Sequence, residues 1–263
     1  MRWIFLSVLI LFSCIASAQD FSAYEKHYFD APELNIPYRY LRPQNFDSSK
    51  KYPLVIFLHG AYEKGFDNES QLNIGGIFFL RDSIRKNYPA FILFPQCPQK
   101  DLWAYFETKT DPSTGNVTEV NFPFNKKPTE VSSVLMHLID SLKQWDKIDP
   151  SRIYIGGLSQ GGIGVLDLIA RDPESFAAAL SICGAGREST AKNFAGKTAL
   201  WLFHGDADDV VPVSFSRDYF KRLQKLKADV LYSEYKGVKH NSWVNAFSES
   251  ALTYWLFSKR KYD

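Results

Sequence analysis

The chain carries Gly157-Leu158-Ser159-Gln160-Gly161 between the apolar run Ile153 to Gly156 and a segment of helical period from Gly161 to Ala170. A Gly-x-Ser-x-Gly string is common by chance. Placed between strand and helix, it is the sharp turn that lifts a serine hydroxyl clear of a sheet edge for nucleophilic attack. A serine hydroxyl is a weak nucleophile at neutral pH, so it needs a base within hydrogen-bond reach and a carboxylate that orients the base. Both types follow Ser159 in the chain. Phe203-His204-Gly205-Asp206-Ala207-Asp208-Asp209 runs from an apolar strand into an acidic turn, and His240 follows the next strand. His240 is the candidate base. His204 lies on or at the end of a strand ahead of the acids and reads as a packed histidine satisfied by backbone, while His27 and His137 read as structural or surface residues. Asp206, Asp208 and Asp209 compete for the orienting role, and spacing alone does not choose among them. The chemistry this set implies is acyl transfer, which also needs backbone N–H donors for the negative oxygen of the tetrahedral intermediate. Gln160, just after the serine, supplies one. The loop after Leu54 to Leu58, His59-Gly60-Ala61, supplies the other through Ala61. The competing account, a glycine-rich turn without catalysis, does not explain the later acid and histidine.

Such residues must be held by a scaffold, and the chain has the pattern of one. Apolar runs at Pro37 to Leu41, Leu54 to Leu58, Phe91 to Phe94, Ile153 to Gly156, Ala178 to Ile182, Ala199 to Phe203 and Val230 to Glu234 read as strands. Several are apolar at every position, as strands covered on both faces must be. Between them, Val131 to Trp145 repeats apolar residues at three- and four-residue steps with Thr129 as N-cap, and Gly161 to Ala170, Ser214 to Leu226 and Asn245 to Phe257 read similarly. This alternation predicts an α/β fold with a mostly parallel central sheet flanked by helices on both faces. Residues 103–127 break the pattern. They are polar, aromatic and without period, an irregular lid-like segment. Trp103, Tyr105 and Phe106 at its start, with Trp243 just beyond His240, are candidates to line the substrate pocket.

Composition excludes other classes. Aromatic residues make up 16% of the 263 residues, too many for a disordered chain, and 31 Lys plus Arg against 29 Asp plus Glu leave no basic excess for a nucleic-acid partner. Three cysteines are too few to build the fold from disulfides. Residues 1–18, with Arg2, an apolar run from Ile4 to Ile15 and Ala16-Ser17-Ala18, read as a secretory signal peptide too short to span a membrane. Residues 19–263 then form one exported domain, periplasmic or secreted, with no membrane span. Lipid attachment at Cys14 ranks second, because Phe12 fits that signal poorly.

Further motifs link these features. Lys51-Tyr52-Pro53 leads into the strand before His59-Gly60-Ala61. Asp67-Asn68-Glu69, Phe94-Pro95-Gln96-Cys97-Pro98, Ile148-Asp149-Pro150-Ser151-Arg152, His204-Gly205-x-x-Asp208-x-Val210-x-Pro212 and His240-x-x-Trp243 follow in order. Over essentially all of residues 19–263 the sequence resembles the α/β-hydrolase superfamily, and within it the carboxylesterase, predicted-peptidase and feruloyl-esterase-like group. The resemblance implies that Asp208 is the orienting acid and that no metal or cofactor is needed. It implies hydrolysis of a small-molecule or polysaccharide-linked ester, feruloyl or acetyl, with peptide or amide cleavage as the runner-up. Tyr62 stands where many relatives have glycine and would narrow the pocket. The family's strand order also puts two strands, about 14 Å, between the strands preceding Cys97 and Cys183. A disulfide cannot span that gap, so both thiols are expected free or packed. A silent binding module would need a broken triad, and here all three members are present.

Overall fold

The computed structural model describes residues 19–114, 117–125 and 127–261. The proposed leader and Cys14 lie outside them. Among the described residues ten strands are formed: β1 (Glu25–Asp30), β2 (Asn35–Leu41), β3 (Tyr52–Leu58), β4 (Phe91–Pro95), β5 (Glu107–Thr110), β6 (Val117–Asn121), β7 (Ile148–Leu158), β8 (Ala178–Ile182), β9 (Ala199–Gly205) and β10 (Val230–Tyr235). Eight make one sheet in the order β1-β2-β4-β3-β7-β8-β9-β10. From β4 to β10 every pairing is parallel, and β1 and β2 are added antiparallel at one edge.

The helices are α1 (Gly76–Leu80), α2 (Asp82–Asn87), α3 (Glu130–Lys143), α4 (Gln160–Arg171), α5 (Ala191–Phe194), α6 (Ser214–Lys225), α7 (Trp243–Ala246) and α8 (Leu252–Ser258). Because side chains alternate across a strand, each apolar run feeds two cores. Leu54, Ile56 and Leu58 of β3 and Leu200 and Leu202 of β9 pack with Val131 and Leu135 of α3, Val165 of α4 and Tyr219 of α6. Val55 and Phe57 of β3 and Trp201 and Phe203 of β9 pack on the opposite face with Phe78 of α1, Ile84 of α2 and Trp255 of α8. Both faces are dry, which is why these strands are apolar throughout. Among the described residues no helix is long and apolar enough to cross a membrane.

Three elements depart from the sequence reading. β1 is an edge strand whose residues alternate between exposed and half-buried, so it lacks the apolar run that marks the others. Residues 103–127 are not wholly irregular, since β5 and β6 form an antiparallel hairpin within them. Every residue of β5 is exposed, which leaves no hydrophobic period to read. The helix expected over Asn245 to Phe257 is instead α7 and α8. Ser248 Oγ donates to the Val244 carbonyl at 2.8 Å, and the chain turns through three-residue bonds from Ser248 to Asn245 and from Glu249 to Ala246 before α8 begins. The Thr129 cap is formed, its Oγ1 accepting the Ser132 N–H at 3.3 Å.

Candidate active site

Ser159 sits between β7 and α4 with φ 52° and ψ −120°, a backbone conformation that costs a non-glycine residue energy and persists only when its surroundings enforce it. The Ser159 N–H donates to the Ile182 carbonyl of β8 at 2.9 Å, and its own carbonyl accepts from Ile163 at 3.0 Å. Gly161 makes the turn sterically feasible. A Cβ there would lie 2.1 Å from the Leu58 carbonyl oxygen, so any side chain would drive α4 off the end of β3.

The parallel sheet brings three chain-distant groups to one end. His240 Nε2 lies 2.8 Å from Ser159 Oγ and His240 Nδ1 lies 2.8 Å from Asp208 Oδ2. A carboxylate only accepts, so Nδ1 carries the imidazole proton and Nε2 is free to accept from the serine hydroxyl. The loop that carries His240 approaches the end of β9 so closely that a Cβ on Gly205 would meet the Val238 carbonyl oxygen at 2.0 Å. The structure also separates the three competing acids. Asp206 is exposed and accepts the Gly237 N–H at 2.6 Å, while Asp209 is exposed and pairs with Lys239 at 2.9 Å. Only Asp208 faces the imidazole. Burial would raise the Asp208 pKa, but hydrogen bonds from His204 and His240 and from the Val211 and Val210 N–H groups outweigh it and hold the carboxyl well below its usual range. His204 is fully buried, as expected of a packed histidine, and Nε2 donates to the Val211 carbonyl at 2.9 Å. It does more than pack, because the same Nε2 lies 3.3 Å from Asp208 Oδ2 and Nδ1 meets Ser216 Oγ at 2.7 Å. His27 lies on β1 and stacks on Tyr38, and His137 is exposed on α3.

Ala61, Ser159 and Gln160 border a cavity of about 250 Å³. Ala61 opens a short 3-10 turn after β3, and Gln160 is the first residue of α4. Apart from Thr108 the remaining wall is apolar, and it carries no charged residue. Phe106, Val120 and Phe122 come from the hairpin and its flanks, Ile163 from α4, Val211 from the loop after β9 and Phe215 from α6. Phe122 and Phe215 meet edge to face at 5.2 Å. Of the aromatic residues read from sequence, Phe106 is in this wall. Phe122 and Phe215 carry no such signal in sequence: the first follows a short strand of mostly polar residues, and the second lies in the first turn of a helix.

The other residues expected at the pocket, Trp103, Tyr105, Trp243 and Tyr62, do not line this cavity, and Tyr105 is exposed. Trp103 is fully buried, donates Nε1–H to the His59 carbonyl at 3.1 Å and fills the space beside Gly164 of α4, so it is a core wedge. Tyr62 is 98% exposed and extends into solvent, so it narrows nothing. Trp243 packs its ring edge to face against His240 at 6.1 Å and supports the imidazole without lining the cavity. The motifs around Asp67 and Gln96 also gain a role. Gln96 Nε2 donates to the Glu63 carbonyl at 3.1 Å and to Asp67 Oδ1 at 2.7 Å, and its Oε1 accepts the Asn68 N–H at 2.8 Å, framing the loop that follows Ala61.

Cys183, Asp208 and His240 are the one group of three His, Cys, Asp or Glu side chains among the described residues whose ligand atoms come close enough to share an ion, within 4.8 Å. Their protonation does not suit one. Burial pushes the Cys183 thiol up to about 12, and the Asp208 and His240 atoms already bind each other.

A serine, an imidazole and a carboxylate in relay, set at the mouth of an apolar cavity on a doubly covered parallel sheet, are shared by many hydrolases. Residues 46–253 match the model of the phospholipase/carboxylesterase family. The chain belongs to that family. It is an α/β-hydrolase, and the family's enzymes act on esters. A thermostable esterase of solved structure is 34% identical with a TM-score of 0.81; the match covers 92% of this chain and 64% of the esterase. An acyl-protein thioesterase 1 from Kluyveromyces lactis is 24% identical over 213 residues, 74% of this chain and 89% of the thioesterase. A ferulic acid esterase from Anaeromyces mucronatus, solved in complex with ferulic acid, shares the fold at 16% identity and a TM-score of 0.59, over 88% of this chain and 89% of the other.

Proposed function

We propose that this family member hydrolyses carboxylic esters through an acyl-enzyme on Ser159. The observation that carries the reading is the relay of two 2.8 Å contacts, Asp208 to His240 to Ser159, opening on an uncharged apolar cavity. His240 Nε2 takes the hydroxyl proton as Ser159 Oγ attacks the ester carbonyl, and Asp208 stabilises the imidazolium that forms. The Ala61 and Gln160 N–H groups receive the oxyanion. His240 then protonates the departing alkoxide. Water enters, gives its proton to the same nitrogen and releases the acid from Ser159.

The cavity wall supports an uncharged acyl group with an apolar or aromatic body, larger than acetyl. A feruloyl-type ester, free or linked to a polysaccharide, fits that description. The leader-like residues 1–18 support an exported location, which N-terminal sequencing of the protein recovered from its source would test.

The test of the chemistry is Ser159→Ala against a panel of aryl, acetyl, short-chain and peptide substrates. Turnover of the best ester should fall roughly 10⁶-fold, and a reactive-serine probe should label only the unaltered protein. Retained ester hydrolysis in Ser159→Ala would remove the assignment, and faster cleavage of peptides than of esters would make this a peptidase.

A further inference from the structure

The end of the sheet remote from Ser159 carries a groove of about 390 Å³, within the range of roughly 300–1,000 Å³ typical of small-molecule sites. It is bordered by Tyr52 and Pro53 at the start of β3, by Tyr88 and Pro89 ahead of β4, and by α8. β3 is seven residues long and its last residue pairs beside the serine turn, so the groove lies about 20 Å from Ser159. A ligand seated there does not touch the reacting atoms.

The lining consists of aromatic rings, prolines, neutral polar groups and cations, with no aliphatic and no acidic side chain. Tyr88 stacks on Phe257 with ring centroids 5.0 Å apart and planes 24° from parallel, and Phe257 meets Tyr154 edge to face at 5.5 Å. Those rings are fixed before any ligand arrives. Tyr254 lies three residues before Phe257 on α8 and so shares its face, yet it is 70% exposed and meets no other ring among the described residues. An exposed phenol beside a fixed aromatic pair offers electron-rich faces to the C–H side of a sugar ring, at little cost in side-chain entropy.

The cations set the sign of the ligand. Lys51 is exposed and has no ion-pair partner among the described residues. Arg152 pairs with Asp149 Oδ2 at 2.6 Å, but the same oxygen faces Arg260 at 3.4 Å. One carboxylate between two guanidinium groups leaves positive charge over, and Lys51 adds to it. The groove therefore favours a ligand that carries carboxylates. A lipid chain would find no aliphatic wall here. A nucleic acid would need a longer basic track, and the whole chain has a net charge of only +2.

We propose that this groove is a second, non-catalytic site for an acidic saccharide: sugar rings lie on Tyr254 and the Tyr88–Phe257 pair, and their carboxylates pair with Lys51 and Arg152. The site holds a chain of acidic sugars to the protein while the opposite end of the sheet carries out its reaction. It stands independently of the chemistry at Ser159.

Calorimetric titration of the full chain with tetragalacturonate, neutral xylotetraose and a tetrathymidylate tests it. Tetragalacturonate should bind at one site, at least about tenfold tighter than xylotetraose, and should weaken as salt rises. Tyr254→Ala should weaken it about tenfold, the size of a lost aromatic contact, and Lys51→Ala about threefold. Tyr62→Ala, which removes an exposed ring near the catalytic end, should leave this binding unchanged. Lys51 and Tyr254 are both exposed, so their variants should fold and keep turnover of a small aryl ester within about twofold. The proposal is overturned by any of four results: no saturable binding of tetragalacturonate up to about 10 mM, equal binding of xylotetraose, tighter binding of the tetrathymidylate, or an affinity that Tyr254→Ala does not move. Ser159→Ala, titrated beside them, separates the two sites. Intact tetragalacturonate binding in a Ser159→Ala protein that still hydrolyses esters removes the triad reading alone, whereas lost ester turnover without any tetragalacturonate binding removes the groove alone.

Discussion

Asp208 shows how much one carboxylate can be asked to do. Its Oδ1 accepts the Val210 and Val211 N–H groups at 2.9 and 2.8 Å, which fixes its plane, and its Oδ2 is left for His240 and the nearby His204. Asparagine at this position would present an amide of either sense to His240 Nδ1, and the orientation that donates would force the wrong imidazole tautomer. Asp208→Asn should therefore lose roughly 10⁴-fold in kcat, whereas Asp206→Asn and Asp209→Asn, which alter only exposed contacts, should remain close to unaltered activity. Steady-state kinetics on one ester compares all three, and a large loss in Asp209→Asn would reassign the acid. Asp67 gives a second prediction for a single residue. Burial acts to raise its pKa, but hydrogen bonds from Ser70, Glu69 and Gln96 prevail and hold the carboxyl well below its usual range. The folded state then binds this proton more weakly than the unfolded chain, so the stabilisation is complete above the ordinary carboxylate pKa of about 3.9 and is lost as pH falls through the depressed folded value. Asp67→Asn should melt lower than the unaltered protein at pH 7, and the gap should close as pH falls from about 4 toward 2. Thermal melts across that range check it, and a gap that stays constant would show that the carboxylate's charge contributes nothing.

At the level of elements, the hairpin of β5 and β6 separates the catalytic groups from the specificity wall. The groups at the sheet's end come from loops fixed by parallel strands, whereas Phe106, Thr108 and Val120 reach the cavity from a two-stranded ribbon outside the main sheet. Such a ribbon can change its wall residues without disturbing the relay. Phe106 is only half-buried, so shortening it removes wall rather than core. Phe106→Ala should lower the ratio of kcat/KM for a cinnamoyl-type ester over an acetyl ester about tenfold, the size expected when part of an aromatic contact is lost. Competition between the two esters measures the ratio directly, and an unchanged ratio would place the acyl group outside this cavity.

At the scale of the molecule, strand order settles the cysteines. Cys97 follows β4 and Cys183 follows β8, with β3 and β7 between them in the sheet, and both are buried and free. Burial raises both thiols, so neither is a reactive thiolate near neutral pH. A chain starting at Gln19 should titrate as two thiols under denaturing, non-reducing conditions and as none while folded. Finding no thiol in the denatured chain would mean a disulfide that this topology forbids.

Much of this arrangement was legible from residue types alone. The apolar runs marked the strands buried on both faces because a doubly covered strand has no polar position to blur the signal. Ser159 and His240 stood out because an exposed turn between a strand and a helix, and a histidine after a late strand, are local patterns. Other features have no local signature. Three aspartates within four positions look alike until the approach of the loop after β10 selects one, and the resemblance to known hydrolases, rather than spacing, pointed to Asp208 in advance. β1, β5 and β6 escaped notice because exposed strands bury too little to need an apolar period. Trp103, Tyr62 and Trp243 were misplaced for a related reason: an aromatic residue reads the same in sequence whether it wedges a helix against a sheet, extends into water or backs an imidazole. The residues determined the reaction class and the layers of the fold, because those depend on chemical type and on period along the chain. Tertiary structure alone decided which acid faces the histidine, which rings wall the cavity and how His59 meets the Cys97 N–H at the end of β4, because each depends on distances between segments far apart in sequence.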